Sequence, residues 1–260
     1  MFDRTILAFD IETIPDPDLG RRIHGIEGDD AAVVAAMAQR RLAETRDATR
    51  YPQLAWHRVV CACVTELDPT RGTVGMRALA SDDADERAVI AAFFATFDRE
   101  GPPPRLLSWN GSGFDLPVLR YRAMKHGIAA RGFHAEGARY GERREDAHVD
   151  LMDVLSGYGA SARQGLGSIS ELLALPGKGF LDREVYEHWF SGERARVVEY
   201  CKLDTLETLL VFLAWTVHTG ALERAELDRY VASIRALVAA QQYPAWTSVT
   251  EALRSWPPWR

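Results

Sequence analysis

The chain has 260 residues, of which 47% are hydrophobic and 26% are charged, so it can bury a core of ordinary size. Its formal net charge of −6 excludes a protein that is basic throughout, and any binding of nucleic acid must use a local basic surface. Acidic residues interrupt the amino-terminal segment, which excludes a signal peptide, and no later run is long and apolar enough for a membrane span. The three cysteines are too few, and odd in number, for a disulfide framework, so we expect a cytoplasmic protein with reduced thiols.

The first hundred residues alternate between strand and helix patterns. Residues 5–13 are apolar and β-rich and predict a core strand that stops at its acids. Residues 29–47 predict a helix, after which two apolar runs at 59–64 and 73–79 predict strands. Cys61 and Cys63 would share one face of the first of these two strands. A helix is predicted over about 84–99.

The second part of the chain is mostly helical. Residues 105–109 predict a strand, and the Gly-rich loop after it leads into a helix that runs from Asp115, a favoured capping residue, to about His126. Residues 129–147 are rich in Arg and Gly without periodicity and predict a mobile loop. Further helices are predicted at about 166–174, 182–190, 193–218 and 223–241. The order of elements predicts an α/β fold with a mixed sheet flanked by helices, in a single domain covering residues 1–260.

Two carboxylates end the first predicted strand. Residues two apart in a strand point to the same face, so Asp10 and Glu12 would project side by side within about 7 Å. Two neighbouring carboxylates repel each other, and partial burial makes the pair costly unless a cation compensates. The alternative is that the strand simply ends there and both acids are solvated.

Three further residues are candidates for the same site. Asp115 follows a strand and a Gly-rich loop, although a plain helix cap is an equally ordinary role for it. Tyr200 and Asp204 lie four apart on a predicted helix, which places them on one face about 6 Å apart along the axis. Most such helical pairs are surface residues, and each signal is weak when it is taken alone.

Taken together, these residues resemble a known family. Asp10-Ile-Glu12, Asn110 to Phe114-Asp115, and Tyr200-Cys-Lys-Leu-Asp204 match, in order and internal spacing, the three motifs of the four-acid (DEDD) ribonuclease-H-like exonucleases. The tyrosine four residues before the last acid is typical of the DEDDy subgroup. Three longer stretches resemble bacterial predicted exonucleases similar to the proofreading domain of family-B DNA polymerases, at residues 9–16, 108–117 and 148–153.

The resemblance, which covers about residues 5–215, implies a metal-dependent 3′-5′ exonuclease that releases nucleoside 5′-monophosphates from single-stranded DNA. Carboxylate oxygens prefer hard cations, so two Mg²⁺ or Mn²⁺ ions are the expected cofactors. The family implies that Asp10 bridges both ions. Glu12 and Asp204 would complete the site of the ion that binds the attacking water, and Asp115 would support the site of the second ion. Tyr200 would orient the attacking water.

Other residues are assigned to the substrate or to support of the site. Candidates for contact with the terminal nucleotide are Thr13, Trp109, Asn110 and Phe114, since aromatic faces stack on bases. We expect His148 and Asp150 to support the site without binding metal. A basic face in and after the Asp115 helix is predicted to carry the phosphodiester backbone, formed by Arg120, Arg122, Lys125, Arg131, Arg139, Arg143 and Arg144.

Several alternatives stay open at this point. The substrate could be RNA, because sugar discrimination is not legible in the sequence. A catalytically silent nucleic-acid-binding module of the same fold is a second alternative, and a phosphate-handling regulator is a third, although it lacks a Gly-rich phosphate loop. The identity of any polymerase or repair partner is open, as are the roles of the insertion at 20–55 and of the helical extension at about 220–260. Its Trp-rich tail, with Trp246, Trp256 and Trp259, is expected to dock on the body of the protein rather than on a partner.

Overall fold

The computed structural model describes residues 2–46, 48–81, 83–98, 101–135, 140, 145–176 and 184–259. Its strands are β1 (Ile6–Pro15), β2 (His57–Asp68), β3 (Thr73–Ala78), β4 (Arg105–Ser108) and β5 (His148–Asp150). Its helices are α1 (Pro17–His24), α2 (Asp30–Glu44), α3 (Glu86–Ala95), α4 (Asp115–His126), α5 (Leu151–Leu155), α6 (Leu166–Leu172), α7 (Val185–Phe190), α8 (Arg194–His218), α9 (Arg224–Ala239) and α10 (Trp246–Ser255), with a 3-10 turn at Leu54–Trp56.

The strands form one mixed sheet in the order β3-β2-β1-β4-β5. β1 pairs antiparallel with β2 and parallel with β4, while β4 and β5 are parallel. The carboxyl ends of β1, β4 and β5 therefore meet at one edge of the sheet, where α/β folds usually place ligands. This topology, with helices on both faces, confirms the predicted mixed α/β architecture of the ribonuclease-H-like type.

The alternation of side chains along β1 decides which residues face α8. Ile6 and Ala8 pack in the core cluster that contains α8, whereas Leu7 and Phe9 pack in the cluster that contains α3 and α4. Because the strand has a period of two, Asp10 lies on the same face as Ile6 and Ala8. The acids at the end of β1 therefore face the longest helix of the protein.

Several elements differ from the sequence prediction. The predicted strands and the longer helices are present, with α3 several residues shorter than expected at Glu86–Ala95. The elements α1, β5, α5 and α10 were not predicted, and of these β5 and α5, with three and five residues, are too short to show a repeating pattern. The predicted loop at 129–147 contains no helix or strand among its described residues, but Phe133 and Tyr140 are buried in the core.

The carboxyl-terminal tail packs against the rest of the chain. Trp246 and Trp256 are each only 1% exposed, and the Trp246 indole donates a hydrogen bond of 2.6 Å to Glu199 of α8. The predicted docking of the tail on its own body is confirmed for these two residues, while Trp259 stays partly exposed. Among the described residues, no helix combines the length and hydropathy that a membrane span requires.

Candidate active site

Four acids and one tyrosine from three separate parts of the chain line a single cleft of about 650 Å³. Asp10 and Glu12 come from β1, Asp115 is the first residue of α4, and Tyr200 and Asp204 lie one turn apart on α8. We call the four carboxylates, of Asp10, Glu12, Asp115 and Asp204, the acid cluster. The five residues that the sequence predicted to act together thus lie in one place. Tyr200 and Asp204 are both buried, so this helical pair is not a pair of surface residues.

Asp115 does not act as a helix cap. Phe114 occupies the capping position of α4 without a side-chain hydrogen bond, and the Asp115 carboxylate instead accepts a hydrogen bond of 3.2 Å from the backbone amide of Ile11. This bond ties the start of α4 to β1 between Asp10 and Glu12. The capping role considered from the sequence is therefore wrong, and the carboxylate is held beside the other acids.

The electrostatics of the acid cluster oppose full ionisation. Burial raises the pKa of Asp10 well above its ordinary value, and the charges of Glu12, Asp115 and Asp204 raise it further. Burial likewise raises the pKa of Asp115 to about 7. One carboxylate oxygen of Asp10 is buried without a hydrogen-bond partner among the residues that the structure describes. An arrangement of this kind is stable in its charged form only when a cation compensates it, so the donor set fits a hard divalent ion.

This electrostatic cost predicts how the stability of the metal-free protein changes with pH. Because the pKa of Asp115 rises from 3.8 to about 7 on folding, its contribution to stability is present below about pH 4 and is lost as the pH rises to about 7. We expect urea unfolding in EDTA to show that the free energy of unfolding falls between pH 5 and pH 8. This fall should be smaller for Asp115→Asn than for the wild type. At pH 8, Mg²⁺ or Mn²⁺ at ten times its dissociation constant should raise the melting temperature by about 3–5 °C. An equal fall in both proteins, with no effect of either ion, would contradict the prediction.

Tyr200 keeps its proton at any physiological pH. Burial raises the pKa of its hydroxyl, and the negative charges of Asp204, Glu12 and Asp10 raise it further. The hydroxyl also donates a hydrogen bond to the Asp204 carboxylate. The single O–H of Tyr200 is thus directed at Asp204, and its hydroxyl oxygen can accept a hydrogen bond and orient a molecule in the cleft, but a phenol that keeps its proton cannot serve as a general base.

Two residues of β5 hold the loop that follows β4. The two carboxylate oxygens of Asp150 accept hydrogen bonds of 2.9 Å from the backbone amides of Asn110 and Ser112. His148 lies 2.8 Å from the Ser108 hydroxyl through its Nε2 atom, and burial lowers its pKa to about 4. Both residues are therefore positioned to shape the loop beside the acid cluster.

Glycine is required at the turn of this loop. A Cβ atom on Gly111 would lie 2.4 Å from the Ser108 hydroxyl oxygen, and no side chain could be accommodated at that distance. The preceding residue, Asn110, adopts a left-handed conformation with φ of 63°. The loop thus has a defined shape, which places Asn110 and Phe114 on the wall of the cleft.

The cleft wall contains the four predicted substrate residues and several that sequence reasoning missed. Thr13, Trp109, Asn110 and Phe114 all line it. His57 lines it too: its Nδ1 atom lies 2.8 Å from the Thr13 hydroxyl, and the ring of Phe114 meets it edge to face at 4.9 Å. The Nε2 atom of His57 is 3.3 Å from the Pro52 carbonyl, which accepts only, so Nδ1 accepts from Thr13. No motif marks His57 in the sequence, because its partners lie on other segments.

The prediction of a basic face is wrong for Arg122. Arg122 is 1% exposed and its guanidinium pairs with Asp16 at 2.6 Å and with Glu86 at 2.5 Å, so it cannot contact a nucleic-acid backbone. Lys125 also binds Asp16, at 2.9 Å. Arg139, Arg143 and Arg144 lie outside the described residues, while Arg120 and Arg131 retain some exposure. Among the described residues that line the cleft, the only Lys or Arg is Arg50, from the segment between α2 and β2.

Comparisons with known proteins agree with this geometry. A sequence model for predicted 3′-5′ exonucleases related to the exonuclease domain of PolB matches residues 49–253. The fold is similar to that of a family B DNA polymerase from the hyperthermophilic archaeon Pyrobaculum calidifontis, with a TM-score of 0.51 and 20% identity. The match covers 82% of this chain and 24% of that polymerase, and at this identity it shows the fold alone.

No curated protein matches the chain. The family match nevertheless spans more than three quarters of it, includes two of the four acids, Asp115 and Asp204, together with Tyr200, and begins just before Arg50, whereas Asp10 and Glu12 precede the matched range. The structural match adds the fold on which those residues are arranged. The chain belongs to the family of predicted 3′-5′ exonucleases related to the exonuclease domain of PolB.

Proposed function

We propose that the protein removes nucleotides from the 3′ end of single-stranded DNA by hydrolysis, releasing nucleoside 5′-monophosphates, as an exonuclease of the DEDDy type. The observation that carries the proposal is the convergence of the acid cluster and Tyr200 in one cleft. Repulsion among four partly buried carboxylates destabilises the fold unless it is compensated, and such sites are a feature of catalytic centres.

The acid cluster would hold two divalent cations, Mg²⁺ or Mn²⁺, through the carboxylates of Asp10, Glu12, Asp115 and Asp204. When bound, these cations would supply acidification of the attacking water and stabilisation of the charge that develops on the leaving 3′-oxygen. The oxygen-only donor set supports hard cations over zinc at these positions.

The remaining residues of the cleft would bind and orient the 3′-terminal nucleotide. The rings of Phe114 and Trp109 offer faces for stacking, and the amide of Asn110 offers both a donor and an acceptor. Thr13, whose hydroxyl donates to His57, presents a fixed oxygen next to the acids. Together these contacts would hold the scissile phosphate over the acid cluster, where orientation alone lowers the barrier considerably.

The decisive test is a 3′-end assay with matched oligonucleotides. A 5′-labelled single-stranded DNA should shorten one nucleotide at a time in Mg²⁺ or Mn²⁺, and EDTA should stop the reaction. The same sequence as RNA should be degraded more slowly if DNA is the preferred substrate, since the 2′-hydroxyl is the main difference between the two. Faster degradation of RNA would replace the DNA assignment, and binding without hydrolysis of either substrate would overturn the proposed activity.

Replacement of Tyr200 by phenylalanine should lower kcat by about 10- to 100-fold and leave KM nearly unchanged. The hydroxyl would orient the attacking water without binding the substrate, so its loss should reduce the rate of the chemical step. Because the pKa of Tyr200 is raised, the pH-rate profile of the variant should keep the shape of the wild-type profile. Tyr121→Phe, at an exposed position on α4, is the matched control, and a new limb in the pH profile of Tyr200→Phe would contradict the orienting role.

Replacement of Arg50 by alanine should raise KM for a single-stranded oligonucleotide by about 3- to 10-fold, with little change in kcat. Arg50 is a half-exposed cation on the cleft wall, paired with Glu184 at 3.3 Å, and it can receive a backbone phosphate at the entrance. The effect should diminish at high salt, because contacts with phosphate are screened. Arg40→Ala, an exposed arginine of α2 paired with Glu44, is the control, and equal KM values for both variants would argue against the contact.

A further inference from the structure

The three cysteines of the protein meet directly behind the acids of β1. Cys61 and Cys63 lie on β2, where they pair with Glu12 and Asp10 of β1, and Cys201 comes from α8. Their sulfur atoms all lie within 4.8 Å of one another, all three side chains are buried, and all are free thiols. We call this group the thiol cluster. Neither the acid chemistry nor the substrate contacts of the cleft make use of it.

The spacing of the thiol cluster is close to that of a metal–thiolate site. Zinc binds cysteine sulfur at about 2.3 Å in tetrahedral geometry, which places two sulfur ligands about 3.8 Å apart. The sulfurs therefore need to approach one another by at most about 1 Å, within the reach of small side-chain rotations. Sulfur ligands favour thiophilic cations such as Zn²⁺ and Cd²⁺ over Mg²⁺, so the cluster would select a different class of ion from the acids.

The fourth ligand is available from the acid cluster. The sulfur of Cys201 also lies within 4.8 Å of carboxylate oxygens of Asp10 and Glu12, and Cys201 donates a hydrogen bond to the backbone carbonyl of Asp10 at 3.4 Å. A cation held by the three sulfurs would take its fourth ligand from these carboxylates, which lie on the Cys201 side of the thiol cluster. It would reach the cluster from the cleft, which Asp10 and Glu12 line.

We propose that Cys61, Cys63 and Cys201 form a binding site for a thiophilic divalent cation of the zinc class, and that its occupation inhibits hydrolysis by engaging Asp10 or Glu12. Each thiol that binds the cation releases its proton to solvent, and no oxidant is required. The binding part of this proposal is independent of the proposed nuclease activity, whereas the inhibition part rests on it.

Binding is tested first, with Cd²⁺ as the probe, since cadmium thiolates absorb in the ultraviolet. The reduced, metal-free full chain should bind one Cd²⁺ with a thiolate absorption band, and Zn²⁺ should displace it. Cys61→Ala and Cys63→Ala should each weaken binding at least about 100-fold, since even the loss of a supporting residue of a metal site costs about 10- to 100-fold. Val60→Ala, which trims a buried neighbour in the same apolar cluster without removing a sulfur, should bind as the wild type does.

Thermal unfolding of each variant separates loss of a ligand from loss of the fold. Absence of a thiolate band in the folded wild type would overturn the proposal, as would equal binding by the wild type and by folded Cys61→Ala and Cys63→Ala. A loss of binding in Val60→Ala equal to that in Cys61→Ala would overturn it too, because packing rather than sulfur would then be responsible.

Inhibition is tested in Mg²⁺ by adding Zn²⁺. Cys61→Ala should keep its Mg²⁺-supported activity and require at least about tenfold more Zn²⁺ for half inhibition than the wild type or Val60→Ala. Equal sensitivity of all three proteins would place the inhibitory zinc on the acids alone and overturn this part. If the wild type does not hydrolyse DNA or RNA in Mg²⁺, the proposed function fails, while the absorption titration still decides whether the thiol cluster binds metal.

Discussion

Asp10→Asn is expected to reduce kcat for 3′-end hydrolysis by on the order of 10³-fold or more while the protein stays folded. Asp10 is at the centre of the acid cluster, since burial and the negative charges of Glu12, Asp115 and Asp204 all raise its pKa. An amide of the same shape removes one negative charge from the acid cluster and leaves the packing of β1 intact. Single-turnover hydrolysis of a labelled oligonucleotide in Mg²⁺ measures the loss of rate.

The same substitution should not destabilise the metal-free protein. Replacing a charge that is repelled by its neighbours with a neutral amide removes an unfavourable interaction, so the melting temperature in EDTA at pH 8 should equal or exceed that of the wild type. Asp18→Asn, at an exposed position on α1, is the control and should keep both activity and stability. Retention of more than about a tenth of wild-type activity by Asp10→Asn would argue against a shared metal site at the acid cluster.

Arg122→Met is expected to lower the free energy of unfolding by about 3–5 kcal/mol, a large part of the stability of a typical domain. The guanidinium is the buried centre of a network that joins Asp16, which follows β1, to Glu86 at the start of α3. Glu86 also accepts a hydrogen bond of 2.8 Å from the backbone amide of Val59. Removing the cation takes a compensating charge from two buried carboxylates at once, and leaves Asp16 with Lys125 and Glu86 with His126.

Urea unfolding of the wild type and Arg122→Met measures this effect. Burial alone would raise the pKa of Asp16, but hydrogen bonds from Lys125 and Arg122 hold it below its ordinary value, so Asp16 is charged at neutral pH and the loss should be full at pH 7. Arg87→Met, at an exposed position of α3, is the matched control and should change stability by less than about 0.5 kcal/mol. A loss below about 1 kcal/mol for Arg122→Met would show that the network contributes little to the fold.

The sequence alone was sufficient for much of the fold and for the five residues proposed to be catalytic. Local periodicity determines these features: alternation places Asp10 and Glu12 on one face of β1, and a spacing of four places Tyr200 and Asp204 on one face of α8. The longer apolar runs were enough to predict the four longest strands and the longer helices. Local patterns left each of these residues and Asp115 with an ordinary alternative role, and only the resemblance of their combination to the three DEDDy exonuclease motifs marked them as one site.

Other features could be decided only by the tertiary structure. Arg122 belongs to the same charged helix as Lys125, but it is buried in ion pairs with Asp16 and Glu86. These two acids come from segments far away in the chain, so no local pattern shows that they meet Arg122. The same reason applies to the hydrogen bond from Ile11 to Asp115. It applies as well to the place of Arg50 on the cleft wall and to the meeting of Cys201 with the cysteines of β2. A periodic pattern states which face of its own element a residue occupies, whereas the partner across that face depends on how distant elements pack, and that information is not local.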